Sequence, residues 1–221
     1  MTPAELEQLI KAPGSALAPE ALERARAAAA GELARTPQAV PWTREAGRWL
    51  GAMWLLWGGA AVAGVVAGVV TPEGLVSRLP SLALVSAAQV LCAFAASAPR
   101  GYRLRWPAVG LSLLSVVGVV VLRAAPASAP TAPAWACTVS HLAVDALPLW
   151  LGLRMLRGIA PASWRFIAAG LAVGATGGAI GELACGRGWE HVALYHVTAW
   201  LLVAAVALWV GSRRPPLSYA P

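Results

Sequence analysis

Apolar residues gather into six long runs, at roughly 49–70, 79–98, 106–123, 134–153, 164–183 and 192–211. Each is long enough to cross ~30 Å of hydrocarbon as a helix rising ~1.5 Å per residue. Turn and charge signals separate the runs: Thr71-Pro72-Glu73-Gly74, Pro99-Arg100-Gly101, Pro126 through Pro133, Arg157-Gly158 to Pro161, and Gly186-Arg187-Gly188. Small residues recur at four-residue spacing inside them. Gly64 and Gly68 make one such pair, and Gly170, Gly174 and Gly178 another stripe; notches of this kind let helices pack closely within a bundle.

The stretch before the first run has a different character. Thr2, Pro3 and Glu5 fit the start of a helix, with a hydroxyl cap, proline in the first turn and an acid at the third position. Leu6, Leu9 and Ile10 then form a short apolar stripe that Pro13-Gly14 ends. A second helix is expected from Pro19 to about Ala34, with a thin face of Leu22, Ala25, Ala29 and Leu33. Both have good helix formers and little to bury, so alone they are marginal. Pro37 and Pro41 read as a linker. The expected fold is all-α and polytopic: a cytoplasmic arm at 1–47, a six-helix transmembrane bundle at 48–212, and a short tail at 213–221.

Composition agrees with the pattern. Hydrophobic residues are 58% of the chain and charged ones 12%, about half the charge a soluble domain carries. Tryptophan dominates the aromatics, and Trp42, Trp49, Trp106, Trp135, Trp164 and Trp189 fall near the ends of apolar runs, where interfacial anchoring is expected. The net charge of +7 does not point to nucleic acid, because six acids balance six bases up to Arg48 and no dense basic tail exists. The surplus lies in short loops, where it sets orientation. With the N-terminus inside, 14 of the 17 Lys and Arg residues face the cytoplasm and Arg78, Arg123 and Arg187 face out. Both termini are then cytoplasmic. No cleavable signal peptide is visible, so the first apolar run is expected to act as an uncleaved anchor.

Few residues can carry chemistry. Asp145 and Glu182 are carboxylates in or near the membrane, where charge has a partner or a task; a small transporter or proton-coupled permease using both is the alternative reading of the chain. Cys137 and His141 share a helix face at the outer end of the fourth run. Cys185 closes the fifth run, and His191 and His196 open the sixth. Together these suit either an oxidisable thiol pair or a soft-metal site, although the spacing matches no standard zinc pattern. Cys92 lacks such company. No H-E-x-x-H, G-x-S-x-G or P-loop is present, so neither an enzyme nor a cofactor is expected, and no metal is assigned. A haem or quinone protein using His141, His191 and His196 is a further rival.

A resemblance adds to this reading. Trp135-Ala136-Cys137, Ala146-Leu147-Pro148-Leu149, the Leu153 to Pro161 loop with its Arg-Gly-x-x-Pro, the Gly170 to Gly181 stripe, Glu182 to Cys185, and Tyr195-His196-Val197 together resemble the NrsF-type family of membrane anti-sigma factors. The likeness covers roughly 48–212 and is clearest over 135–200. One departure is Gly186, where the family often has Pro followed by Glu. The resemblance implies a protein of the bacterial inner membrane that holds an extracytoplasmic-function sigma factor and releases it on a stimulus, without touching nucleic acid itself. It implies that Cys137 and Cys185 take part in sensing, with His141 beside them. One branch of that family governs carotenoid synthesis in response to light, and the chain's length and Ala-, Pro- and Gly-rich style suit that branch. The marginal arm fits independently, since such a segment can fold onto a partner; Leu6, Leu9, Ile10, Leu22 and Leu33 are the expected contacts.

Overall fold

The computed structural model describes residues 23, 24, 26–28, 30, 31, 41–98, 102–123, 133–156 and 163–213. The chain divides into two units, Met1–Val40 and Pro41–Pro221. In the first, the described residues are helical, inside the second helix expected there, and Arg26 Nη1 donates to Glu23 Oε1 at 3.1 Å on an exposed face. Leu6, Leu9, Ile10, Leu22 and Leu33 lie outside the described residues.

The second unit holds six long helices: α1 (Trp42–Val66), α2 (Pro72–Ser97), α3 (Tyr102–Val121), α4 (Trp135–Met155), α5 (Ser163–Ala184) and α6 (Trp189–Ser212). All six are long and apolar enough to cross a membrane, and the chain is an all-helical, multi-pass membrane protein. Large apolar side chains such as Leu55 and Val66 are about four-fifths exposed, the arrangement expected where lipid is the solvent.

The first two helices do not end where the apolar runs do. Gly68 is not a packing notch; it has φ +71 and stops α1. The Val69 N–H donates to Gly64 O at 2.9 Å and the Gly68 N–H to Val65 O at 3.0 Å, the paired bonds of a glycine-terminated helix. Thr71-Pro72-Glu73-Gly74 is the start of α2 rather than a break. The Gly74 N–H donates to Thr71 Oγ1 at 3.1 Å, Pro72 fills the first helical position, and Glu73 faces the positive end of the helix. α1 begins at Trp42, earlier than its apolar run.

α5 is the central helix. Its apolar window is 83% buried, against 17–50% for the other five, and it packs on α1, α2, α3, α4 and α6. Its small residues make this possible. A Cβ on Gly170 would lie 3.0 Å from the Ala207 Cβ, and one on Gly174 would run into the Trp200 ring. Trp200 Nε1 donates to the Leu171 carbonyl at 2.8 Å, locking α6 to α5. Gly170, Gly174 and Gly178 therefore serve packing inside the bundle.

Trp49 departs from its expected anchoring role. It is buried, fits over Gly152 of α4, and its Nε1 donates to the Pro148 carbonyl at 3.0 Å. Trp106, Trp135, Trp164 and Trp189 remain exposed near helix ends. Polar residues also tie the core: Gln89 Nε2 of α2 donates to Thr176 Oγ1 at 2.8 Å and to the Ala172 carbonyl at 3.3 Å on α5. Cys92 sits 3.1 Å from Ser112 Oγ, a packing role.

Candidate functional site

Five of the helix ends meet where α5 finishes, and a cluster of titratable side chains gathers there. Cys137 and His141 project from the first turns of α4, four residues apart and so on one face. Cys185 follows the last residue of α5. His191 and His196 come from the start of α6, where Val192–Val197 is wound as a π-helix. Residues five apart diverge by about 140° on an ordinary α-helix, but i→i+5 bonding stacks them on one side. The two rings are accordingly only 5.3 Å apart, centre to centre. Thr138 Oγ1 donates to the Tyr195 carbonyl at 3.0 Å, binding α4 to this wide turn.

One donor atom from each of Cys137, Cys185, His191 and His196 lies within 4.8 Å of the others. Both cysteines are free thiols. His141 Nε2 and His196 Nδ1 share a hydrogen bond of 2.9 Å, with the rings edge to face. Glycine makes room for this contact: a Cβ on Gly181 would sit 2.6 Å from His141 Nε2. Beside the cluster is a cavity of about 200 Å³ lined by Cys137, His141, Gly181, Cys185 and His196 among others.

Asp145 lies one turn deeper on α4 and is fully buried. Its Oδ1 accepts the Gly177 N–H at 2.9 Å, a structural bond to backbone rather than to a neighbouring Ser, Thr or Trp. Its Oδ2 and the His141 Nδ1 have no hydrogen-bond partner. Both atoms lie under 3 Å from the position a Cβ on Gly177 would take, so they face the same notch in α5.

Glu182 has a different fate. Its Oε2 accepts from Arg123 Nη1 at 2.8 Å, with each side chain 5% exposed. Its Oε1 accepts from Ser81 Oγ at 3.2 Å. Arg123 also donates to the carbonyls of Arg187, at 2.9 Å, and of Cys185. Arg78 donates to the carbonyls of Glu182 and Leu183. Arg78 thus satisfies two of the last carbonyls of α5, which lack partners in the helix, and Arg123 those of the turn just beyond it, with charge of the favourable sign. Both carboxylate oxygens of Glu182 have partners.

The sequence brings Cys137, His141, Cys185, His191 and His196 to one end, and the structure joins them. It does not bring Glu182 into that set. Sequence reasoning missed Gln89, whose signal was a lone amide in an apolar run. It also misses the clamping work of Arg78 and Arg123, which a charge count reads only as orientation signals.

Over 201 residues the chain is 41% identical to the carotenogenesis protein CarR of Myxococcus xanthus, a match that covers 91% of this chain and 91% of that protein. No family model matches the chain. No solved structure matches it.

Proposed function

The chain belongs to the family of the carotenogenesis protein CarR, and from that premise we propose that it is a membrane-bound anti-sigma factor acting in the control of carotenoid synthesis. In this reading the arm at 1–47 is cytoplasmic, binds an extracytoplasmic-function sigma factor through Leu6, Leu9, Ile10, Leu22 and Leu33, and keeps it from RNA polymerase. A stimulus, light among the candidates, reaches the opposite end of the bundle and releases it. The protein acts by binding and performs no catalysis.

The observation that carries this reading is the near full-length likeness to a carotenogenesis protein, joined to a six-span bundle that gathers Cys137, Cys185 and the three histidines at one end. The charge pattern supports the orientation. Among the described residues of the bundle, Arg44, Arg48, Arg103, Arg105, Arg154, Arg165 and Arg213 lie toward the end away from the cysteines, the bias expected of a cytoplasmic side. At the cysteine end, Arg78 and Arg123 are committed to backbone carbonyls, so they weigh little as orientation signals. Cys137, Cys185 and His141 are the sensing residues in this scheme, and their convergence on one cavity supports it.

The test is co-purification of the sigma factor encoded nearest the gene with the full-length chain, extracted from membranes. We expect recovery with the intact chain and loss when residues 1–40 are deleted, with the bundle still inserted. Equal recovery from both chains refutes the arm as the binding element. Loss of an ion or solute flux in vesicles on Asp145→Asn, with the arm dispensable, would favour the transporter instead.

A further inference from the structure

We propose that Cys137, Cys185, His191 and His196 form a metal site for a thiophilic d¹⁰ cation, Zn²⁺ or Cu⁺, with His141 and Asp145 as its outer support. This deepens the sensing role given above to the two cysteines.

The donor set and its spacing carry the argument. Two thiols and two imidazoles suit these ions, which favour sulfur and nitrogen ligands. Bond lengths of about 2.0–2.3 Å place tetrahedral ligand atoms about 3.3–3.8 Å apart. The four donors already lie within 4.8 Å of one another, so closure needs rotamer adjustments of about an ångström rather than movement of helices. The ligands come from α4, the end of α5 and the start of α6; the His141–His196 and Thr138–Tyr195 bonds tie α4 to α6, and the Gly177–Asp145 and Trp200–Leu171 bonds tie both to α5.

A second observation points the same way. Within this buried cluster the Nε2 atoms of His191 and His196 have no hydrogen-bond partner. A buried nitrogen without a partner costs free energy, and a metal ion supplies one. His196 is prepared for it. If its Nδ1–H donates to His141 Nε2, then His196 Nε2 is left bare to ligate and His141 Nδ1 carries a proton. That proton has Asp145 Oδ2 across the Gly177 notch, the other orphaned atom. This extends by one ring the carboxylate–histidine support that orients a metal-bound imidazole. His191 closes the tetrahedron by giving up a contact of 3.4 Å from Arg187 to its Nδ1, which is at the outer limit of a hydrogen bond. Binding takes two protons off the two thiols, and with Zn²⁺ the loaded site is neutral, which suits an apolar surrounding.

The test uses the full-length chain, purified reduced in detergent. Separate samples are equilibrated with Zn²⁺ or with Cu⁺ under anaerobic conditions, desalted, and their metal content is measured. Co²⁺ is used as a spectroscopic stand-in for Zn²⁺. We expect about one equivalent retained in at least one arm, with tetrahedral thiolate bands for Co²⁺ if the zinc arm is the one that loads. Cys137→Ser or Cys185→Ser should abolish retention, and Cys92→Ser should leave it intact. His141→Gln should weaken affinity about 10–100-fold at unchanged stoichiometry. His191 is half-buried, so His191→Gln spares the packed core and should also lower affinity. Retention of neither ion by the reduced, monodisperse chain overturns the proposal, as does retention that survives Cys137→Ser. Metal content is read without the sigma factor, so failure here leaves sequestration untouched.

Discussion

The Arg123–Glu182 pair offers a sharp check on how the bundle closes its cysteine end. Both side chains are 5% exposed and 2.8 Å apart. Arg123→Met removes the charge partner of Glu182 and the donors to the carbonyls of Cys185 and Arg187. Losing one half of a buried ion pair costs about 3–5 kcal/mol, which lowers the folded-to-unfolded ratio by about 150- to 4,000-fold. Glu182→Gln should cost less. Arg123 keeps its backbone acceptors, and the glutamine oxygen still accepts from Ser81 or Arg123. The double variant should fall well short of the sum of the two, because the uncompensated carboxylate is gone. Unfolding of the full chain in mixed micelles with rising dodecyl sulfate, followed by circular dichroism, measures all three. A cost below about 1 kcal/mol for Arg123→Met, or strict additivity in the double variant, would refute the claim that this pair is a buried structural clamp.

Other outcomes follow from the packing. Gly174→Ala drives a methyl into Trp200 and should cost about 1–3 kcal/mol, whereas Gly178→Ala on the same stripe meets the ring at an ordinary 3.5 Å and should be nearly neutral in the same assay. Trp49→Phe forfeits the bond to the Pro148 carbonyl and should cost about 1 kcal/mol, while Trp164→Phe, at an exposed helix end, should change stability little. Reporter fusions at residues 20 and 213 should be active only with a cytoplasmic reporter, and a fusion at residue 187 only with a periplasmic one; the opposite pattern would remove the arm from reach of a sigma factor.

Much of the fold is legible in the sequence because lipid imposes a simple rule: a span must be long and apolar, and the six runs are. The ends are less legible. Hydropathy continues through Val65, Val66, Val69 and Val70, so the run hides the stop at Gly68, which is a matter of backbone conformation. Thr71-Pro72 looks like a break by composition and is a helix start by hydrogen bonding. Tryptophan shows the same limit. Trp49 and Trp164 both sit near run ends, and only the facing helix decides which is buried: Gly152 opens a slot for the first. At the site, helix direction alone sends Cys137, Cys185 and the histidines to one end. The link of Arg123 to Glu182, or of Gln89 to Thr176, depends on which helices are neighbours and how they are rotated, which no local pattern encodes.

The central position of α5 carries a mechanical consequence. A hydrogen-bonded helix does not shorten, so a displacement imposed at Ala184 must reappear at Ser163, about 32 Å away at 1.5 Å per residue. Along its length Gln89, Asp145 and Trp200 tie it to α2, α4 and α6, and at the far end Arg165 grips the Ala98 carbonyl. A push on such a rod at the cysteine end would reach the opposite end only by carrying its neighbours with it.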